Sequence, residues 1–257
     1  MQPMVYTPAM QAVGQFDGGK ITEQKPIGFP GEGSVVKRVG PLFYWAWAES
    51  NADALIGLHP HQGFEIMSYV VQGTGVHGDT LGTNSTIGAG GAQVMQTGSG
   101  VSHREQLVKD TELFQIWFEP ELKEAVKRQP TYRQYAHEEF PNRSEQGYQV
   151  KTVIGEGAPI ELVTDAGMWD VEINPGGAYS HQVQSGYVLT ALAIRGNGRW
   201  ANTGAPTRYV DIKHKDFIVG KAESLTTVNL ENTGEANLRL ILIVVPAAVD
   251  YELLRKR

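Results

Sequence analysis

The chain has 257 residues, a formal net charge of −6 and no cysteine. The negative balance argues against a direct nucleic-acid ligand, because a phosphate-backbone binder needs a basic face. The missing cysteines exclude disulfides, thiolate-based zinc fingers and iron–sulfur clusters, so any metal must be held by nitrogen and oxygen. No run of 18 apolar residues occurs, and Met1 to Val13 lacks the charged and apolar regions of a signal peptide, so a soluble cytoplasmic protein without membrane contact is expected.

In chain order, residues 1–40 are rich in glycine and proline, with turns at Phe16-Asp17-Gly18-Gly19 and Pro30-Gly31-Glu32-Gly33. Leu42 to Trp47 is an aromatic, strand-like run suited to core packing. Phe64 to Val71 and Gly75 to Leu81 read as a hairpin turning at Gly73, followed by strands at Ala92 to Thr97, Val101 to Gln106 and Glu112 to Phe118. Between Glu121 and Gln129, Leu122, Ala125 and Val126 recur at helical spacing and predict one or two helical turns. A polar segment follows, and the spacing predicts an N-terminal domain over 1–135 and a C-terminal domain over 136–257. The second half repeats short strands, among them Val150 to Ile154, Met168 to Ile173, Val188 to Ile194, Arg208 to Ile212 and Leu238 to Val244, with turns at Pro175-Gly176-Gly177 and Asn232-Thr233-Gly234. Strands without helical crossovers argue for all-β sandwiches or barrels of the jelly-roll type. Ala247 to Arg257 suits a short amphipathic helix.

Two triplets carry the chemistry, His59-Pro60-His61 and His103-Arg104-Glu105. In a strand, side chains two apart share a face, so each triplet is a two-pronged clamp. If their strands are neighbours, three imidazoles and one carboxylate converge on a metal-sized point. A chance His-x-His is expected roughly 0.2 times in such a chain, and His137 with Glu139 repeats the His-x-Glu spacing in a polar segment where it reads as solvated. What distinguishes the first two triplets is the sequence joining them.

That sequence runs through His59-Pro60-His61-Gln62-Gly63-Phe64-Glu65, His77-Gly78-Asp79-Thr80-Leu81-Gly82 and Val94-Met95-Gln96-Thr97-Gly98-Ser99-Gly100-Val101-Ser102-His103-Arg104-Glu105. It resembles the pirin family of bicupins. The resemblance is dense over residues 40–120 and loose elsewhere. It implies two cupin β-barrels packed face to face, with one metal, commonly iron, in the N-terminal barrel, held by His59, His61, His103 and Glu105. Where a basic residue often follows the first triplet, this chain has Gln62. The second half offers only His181 near its glycine-rich turn, so no metal is expected there.

Three imidazoles and a carboxylate suit Fe(II), Mn, Co, Ni, Cu(II) or Zn, and leave coordination positions for a small-molecule substrate and O2. The resemblance implies a dioxygenase of the quercetin 2,3-dioxygenase type, and Glu105 is the candidate catalytic base, a role open to a ligand carboxylate only when it is loosely bound or displaced. The alternatives are a non-enzymatic, metal- or redox-dependent regulator that binds partner proteins, and an enzyme acting on another substrate, since fold does not settle function. Glu65, of the same parity as His59 and His61, is a candidate acceptor for an imidazole N–H. His77 is a second candidate beside the site, or a hydrogen-bonded structural histidine, and His214 between two lysines reads as exposed.

Overall fold

A computed structural model of the chain describes residues 1–202 and 209–256. The described residues are almost entirely β, in two compact units. One unit comprises residues 11–139, 162–164 and 250–257, and the other comprises residues 1–10, 140–161 and 165–249. Among the described residues no helix is long and apolar enough to cross a membrane.

The strands are β1 (Met4–Tyr6), β2 (Ala12–Phe16), β3 (Ile21–Ile27), β4 (Leu42–Ser50), β5 (Ala54–His61), β6 (Glu65–Gln72), β7 (Thr74–Asp79), β8 (Asn84–Gly88), β9 (Ala92–Gln96), β10 (Val101–Leu107) and β11 (Glu112–Phe118). One α-helical turn, α1 (Leu122–Ala125), precedes β12 (Thr131–Tyr135). The chain continues through β13 (Asn142–Glu145), β14 (Tyr148–Ile154), β15 (Gly167–Ile173), β16 (Ala178–Val183), β17 (Tyr187–Arg195), β18 (Gly198–Asn202), β19 (Tyr209–Ile212), β20 (Phe217–Lys221), β21 (Thr226–Asn232) and β22 (Leu238–Pro246). Arg208, placed by the sequence at the start of a strand, lies outside the described residues.

In the N-terminal unit a seven-stranded sheet in the order β12-β9-β6-β11-β4-β3-β2 is accompanied by a four-stranded sheet, β5-β10-β7-β8. Ile21, Ala48, Val70 and Leu113 from the large sheet and Ala54, Ile87 and Leu107 from the small one form a single buried cluster. This is a jelly roll closed at one end by apolar side chains, and closure removes their surface from water.

Strand β3 gave no hydropathy signal because Glu23 and Lys25 are buried in it. Lys25 Nζ lies 3.1 Å from Glu23 and 2.5 Å from Glu32, so the buried charges are paired. Glycine matters where the loops leave these sheets. Gly98 has φ 48°, and a β-carbon there would lie 2.5 Å from the Arg128 carbonyl oxygen.

A helix is expected over Ala247 to Arg257, and among the described residues 247–256 none forms. Leu254 N–H donates to the Glu119 carboxylate, the Tyr251 hydroxyl donates to the Glu119 carbonyl at 2.8 Å, and Lys256 Nζ donates to the carbonyls of Gly28, Lys37 and Phe43. An amide engaged by a remote carboxylate is not available for helix, and so short a segment cannot offset helix nucleation by itself.

Candidate metal centre

Strands β5 and β10 are antiparallel neighbours, pairing Val101 with His61 and His103 with His59. The register then slips, so that Glu105 faces Ile56. Two steps on β10 thus match three on β5, a bulge at Gly57 and Leu58 that changes the facing of β5 midway. Ile56 can therefore point inward below the bulge while His59 and His61 point inward above it. On β10 the alternation is regular, with Val101, His103, Glu105 and Leu107 buried and Arg104 and Gln106 exposed.

Ring nitrogens of His59, His61 and His103 lie within 4.8 Å of one another. His61 Nε2 and His103 Nε2 are 3.0 Å apart. Two nitrogens each about 2.1 Å from a common ion, at right angles to it, would have that separation. His59 Nδ1 is 2.7 Å from the Gly57 carbonyl oxygen, which can only accept, so Nδ1 carries the proton and Nε2 keeps its lone pair. Burial, then the neighbouring imidazoles His103 and His59, pushes His61 down to about 3, against a smaller opposing pull from Glu105. Burial, then His59 and His77, does the same to His103, also to about 3. Both rings are neutral near pH 7 and present lone pairs, so the residues present fit a divalent cation.

These values set a pH dependence. The unfolded chain takes up histidine protons near 6.5 and the metal-free fold only near 3, so between them unfolding binds protons and stability is lost as the pH is lowered. The metal-free protein is expected to show a lower urea midpoint at about pH 4.5 than at about pH 7; equal midpoints would contradict the neutral cluster.

Glu105 is buried on the same face but is not among the three groups gathered within 4.8 Å. Its Oε1 accepts from Ser68 at 3.0 Å and Gln93 at 3.3 Å, and its Oε2 accepts from Gln115 at 2.6 Å. A carboxylate has about four lone-pair sites, and with three used one on Oε2 stays available. The Gln115 amide is itself oriented, because its Oε1 accepts from Trp117 Nε1 at 3.3 Å. Trp117 also sets its ring edge-on to His61, with centroids 4.7 Å apart.

Sequence reasoning missed Ser68, Gln93 and Gln115 as parts of the site. Gln115 alternates with Phe114 and Ile116 as a solvent-facing residue would, yet both faces of β11 are buried, with Phe114 packed on Trp45 and Trp47 across from Gln115. A β-bulge at Phe43, opposite Trp117 and Phe118, brings Phe43 into the same cluster as Tyr44, Ile66 and Trp117. Phe29 and Phe64 complete this aromatic wall.

The expectation for Glu65 is corrected. Its carboxylate accepts from Gln96 at 2.8 Å and from the backbone N–H groups of Val163 and Thr164 at 2.7 and 2.9 Å, with no imidazole among its partners. The two-residue period holds only within a continuous strand, and Gly63, at φ 82°, separates β5 from β6 and resets the facing. Glu65 lies opposite in parity to Ser68, which reaches Glu105. Glu65→Leu is expected to cost about 3 kcal/mol of stability by stranding two amides, read in urea, with the metal content unchanged; a loss of metal without loss of stability would reinstate the imidazole contact.

His77 is buried, with Nε2 2.9 Å from Asp79 and its ring stacked on Tyr132 at 4.3 Å. It pairs with Glu105 across the sheet, and its ring centroid is 5.5 Å from that of His103. His137 and Glu139 sit exposed in a 3-10 turn, and His214 is exposed.

The family model described as Pirin matches residues 39–118. Pirin-like protein 2 of Arabidopsis thaliana is 33% identical over 129 residues, covering 48% of this chain and 40% of that protein. A Zymomonas mobilis protein, provisionally named a quercetin 2,3-dioxygenase, is 30% identical over 165 residues, covering 60% of this chain and 67% of its own length. Among solved structures, the bacterial pirin YhhW of Escherichia coli in complex with nickel(II) superposes with a TM-score of 0.74 at 20% identity, over 95% of this chain and 99% of that one. Two antiparallel jelly rolls, one with imidazoles gathered on its inner face, define a two-domain cupin. The chain belongs to the pirin family.

Proposed function

We propose that this chain is a metal-dependent dioxygenase of the quercetin 2,3-dioxygenase type, opening flavonol or related enol substrates with O2. The observation that carries the reading is the convergence of three imidazoles, with His61 and His103 Nε2 atoms at 3.0 Å. His59, His61 and His103 would hold one divalent transition metal, iron(II) in the first place, with Glu105 as the fourth donor through the free lone pair of Oε2. The metal would supply a Lewis acid and a meeting point for substrate and O2.

The chain's own residues do the rest. The aromatic cluster of Phe43, Phe64 and Trp117 backs His61 through the Trp117 ring, an apolar wall suited to an aromatic substrate. Glu105 takes the proton of the substrate's 3-hydroxyl at Oε2 when that lone pair is released from the ion, while Ser68 and Gln93 keep Oε1 fixed. Proton transfer needs the acceptor within hydrogen-bond reach, so the carboxylate serves as donor to the ion and as base in turn, not at once. The relatives' names support the substrate class, and the burial of His103 and Glu105 supports exclusion of bulk water at the inner side of the site.

The test is anaerobic reconstitution with Fe(II), then addition of a flavonol in air. Loss of the flavonol absorbance band, dependent on metal and O2, is expected. Metal-loaded protein that leaves the flavonol untouched with each of iron, manganese, cobalt, nickel, copper and zinc would sink the enzyme reading.

A further inference from the structure

The C-terminal unit repeats the strand order of the N-terminal one. Its small sheet, β16-β21-β18-β19, follows β5-β10-β7-β8, and its large sheet, β1-β20-β17-β22-β15-β14-β13, follows β12-β9-β6-β11-β4-β3-β2. Strand β16 thus stands where β5 carries His59 and His61, and β21 stands where β10 carries His103 and Glu105. The side chains differ. His181 on β16 pairs with Val228 on β21, and Tyr179 pairs with Leu230. Both apolar partners are fully buried, so the donors of the other barrel are replaced by hydrocarbon.

What persists is the opening. A cavity of about 420 Å³ lies among β13, β14, β15 and β16, the counterparts of β2 to β5, with Asn142, Arg143, Thr152, Trp169 and Tyr179 in its walls. Its size is within the ordinary range for small-molecule sites, which favour the mouths of β-barrels. Trp169 is partly exposed there, whereas Trp200 in the same unit is wholly buried. The indole is held in place from behind. A β-carbon on Gly167 would lie 2.3 Å from Trp169 Cη2, one on Gly155 would lie 3.6 Å from Cζ2, and the His181 ring packs edge-on at 4.4 Å. Two glycines and a histidine thus pre-set one aromatic face.

The walls carry one charge of each sign, Glu156 and Arg143, so the lining has no net charge and favours a neutral ligand. Arg143 is already engaged, 3.2 Å from Glu145 and donating to the Tyr148 hydroxyl at 3.3 Å, so it is no free anion receptor. The Tyr179 hydroxyl, 3.1 Å from His181 Nδ1, and Thr152 offer neutral hydrogen-bonding partners. We propose that the mouth of the C-terminal barrel is a metal-independent binding site for a planar hydroxylated aromatic molecule of the phenol or naphthol class, which stacks on Trp169 and hydrogen-bonds to the hydroxyls beside it. The site stands independently of the imidazole cluster.

The experiment is calorimetric titration of 2-naphthol into full-length protein carrying His61→Ala and His103→Ala, which removes the other barrel's donors. Should that variant not fold, chelator-treated wild-type protein takes its place. One saturable site per chain is expected, with no measurable binding of cyclohexanol. Trp169→Ala is expected to weaken binding by about tenfold or more, the scale of one lost stacking face. Gly167→Ala, which crowds the indole without removing any wall residue, should weaken it similarly, and Trp169→Phe should stay within about threefold of the parent. Absence of saturable binding up to about 1 mM, equal binding of cyclohexanol, or indifference to both Trp169→Ala and Gly167→Ala overturns the proposal.

Discussion

His61→Ala is expected to abolish metal retention and flavonol turnover together. His61 ends β5 with Nε2 3.0 Å from His103 Nε2, so its removal deletes one of three converging nitrogens and breaks the closest pair. Metal content should fall from near one ion per chain to below about 0.1, and turnover by at least about 10³-fold, because a bound ion contributes several kcal/mol to stabilising developing charge. The fold should survive. His61 is only half-buried and burial disfavours its charged form, so alanine removes no ion pair on which the barrel depends. Metal analysis of protein purified without a histidine-rich tag, paired with the absorbance assay, decides the matter. A folded His61→Ala protein that keeps stoichiometric metal would mean that the imidazoles are not the donors.

The second large effect is expected at Gln115. Its amide N–H is 2.6 Å from Glu105 Oε2 and its carbonyl oxygen is fixed by the Trp117 indole, so it aims the carboxylate rather than touching the ion. Gln115→Leu keeps approximate volume and removes both bonds. Outer partners of metal-ligating groups typically account for 10–100-fold in metal affinity, and a loss of about that size is expected in competition with a chelator. Turnover should also acquire a different pH profile, because the carboxylate loses its only Oε2 donor. Unchanged affinity and an unchanged profile would show that Ser68 and Gln93 hold Glu105 without help.

Much of the site was legible because a strand repeats every two residues. His59-Pro60-His61 and His103-Arg104-Glu105 announced their shared faces from spacing alone, and the alternation of Val101 to Leu107 needed no tertiary information. The same rule failed at Glu65, because Gly63 interrupts the strand, and at Gln115, because a sheet buried on both faces hides polar interior residues among apolar neighbours. The glycine-rich first 40 residues concealed β3, whose inward charges are neutralised by one another and by Glu32.

The sequence by itself determined the all-β character, the two clamps and the family. Only the tertiary structure decided which strands are neighbours, where the bulge at Gly57 and Leu58 lets β5 turn His59 and His61 inward, and that β1 (Met4–Tyr6) pairs with β20 (Phe217–Lys221) in the C-terminal unit. It also decided that Leu254 gives its backbone N–H to Glu119 where a helix was expected, with the Lys256 ammonium tied to three remote carbonyls. Side-chain facing is written locally, in a two-residue period. Register and hydrogen-bond partnership join residues tens to hundreds of positions apart, and these are chosen by what the whole fold can bury and satisfy at once.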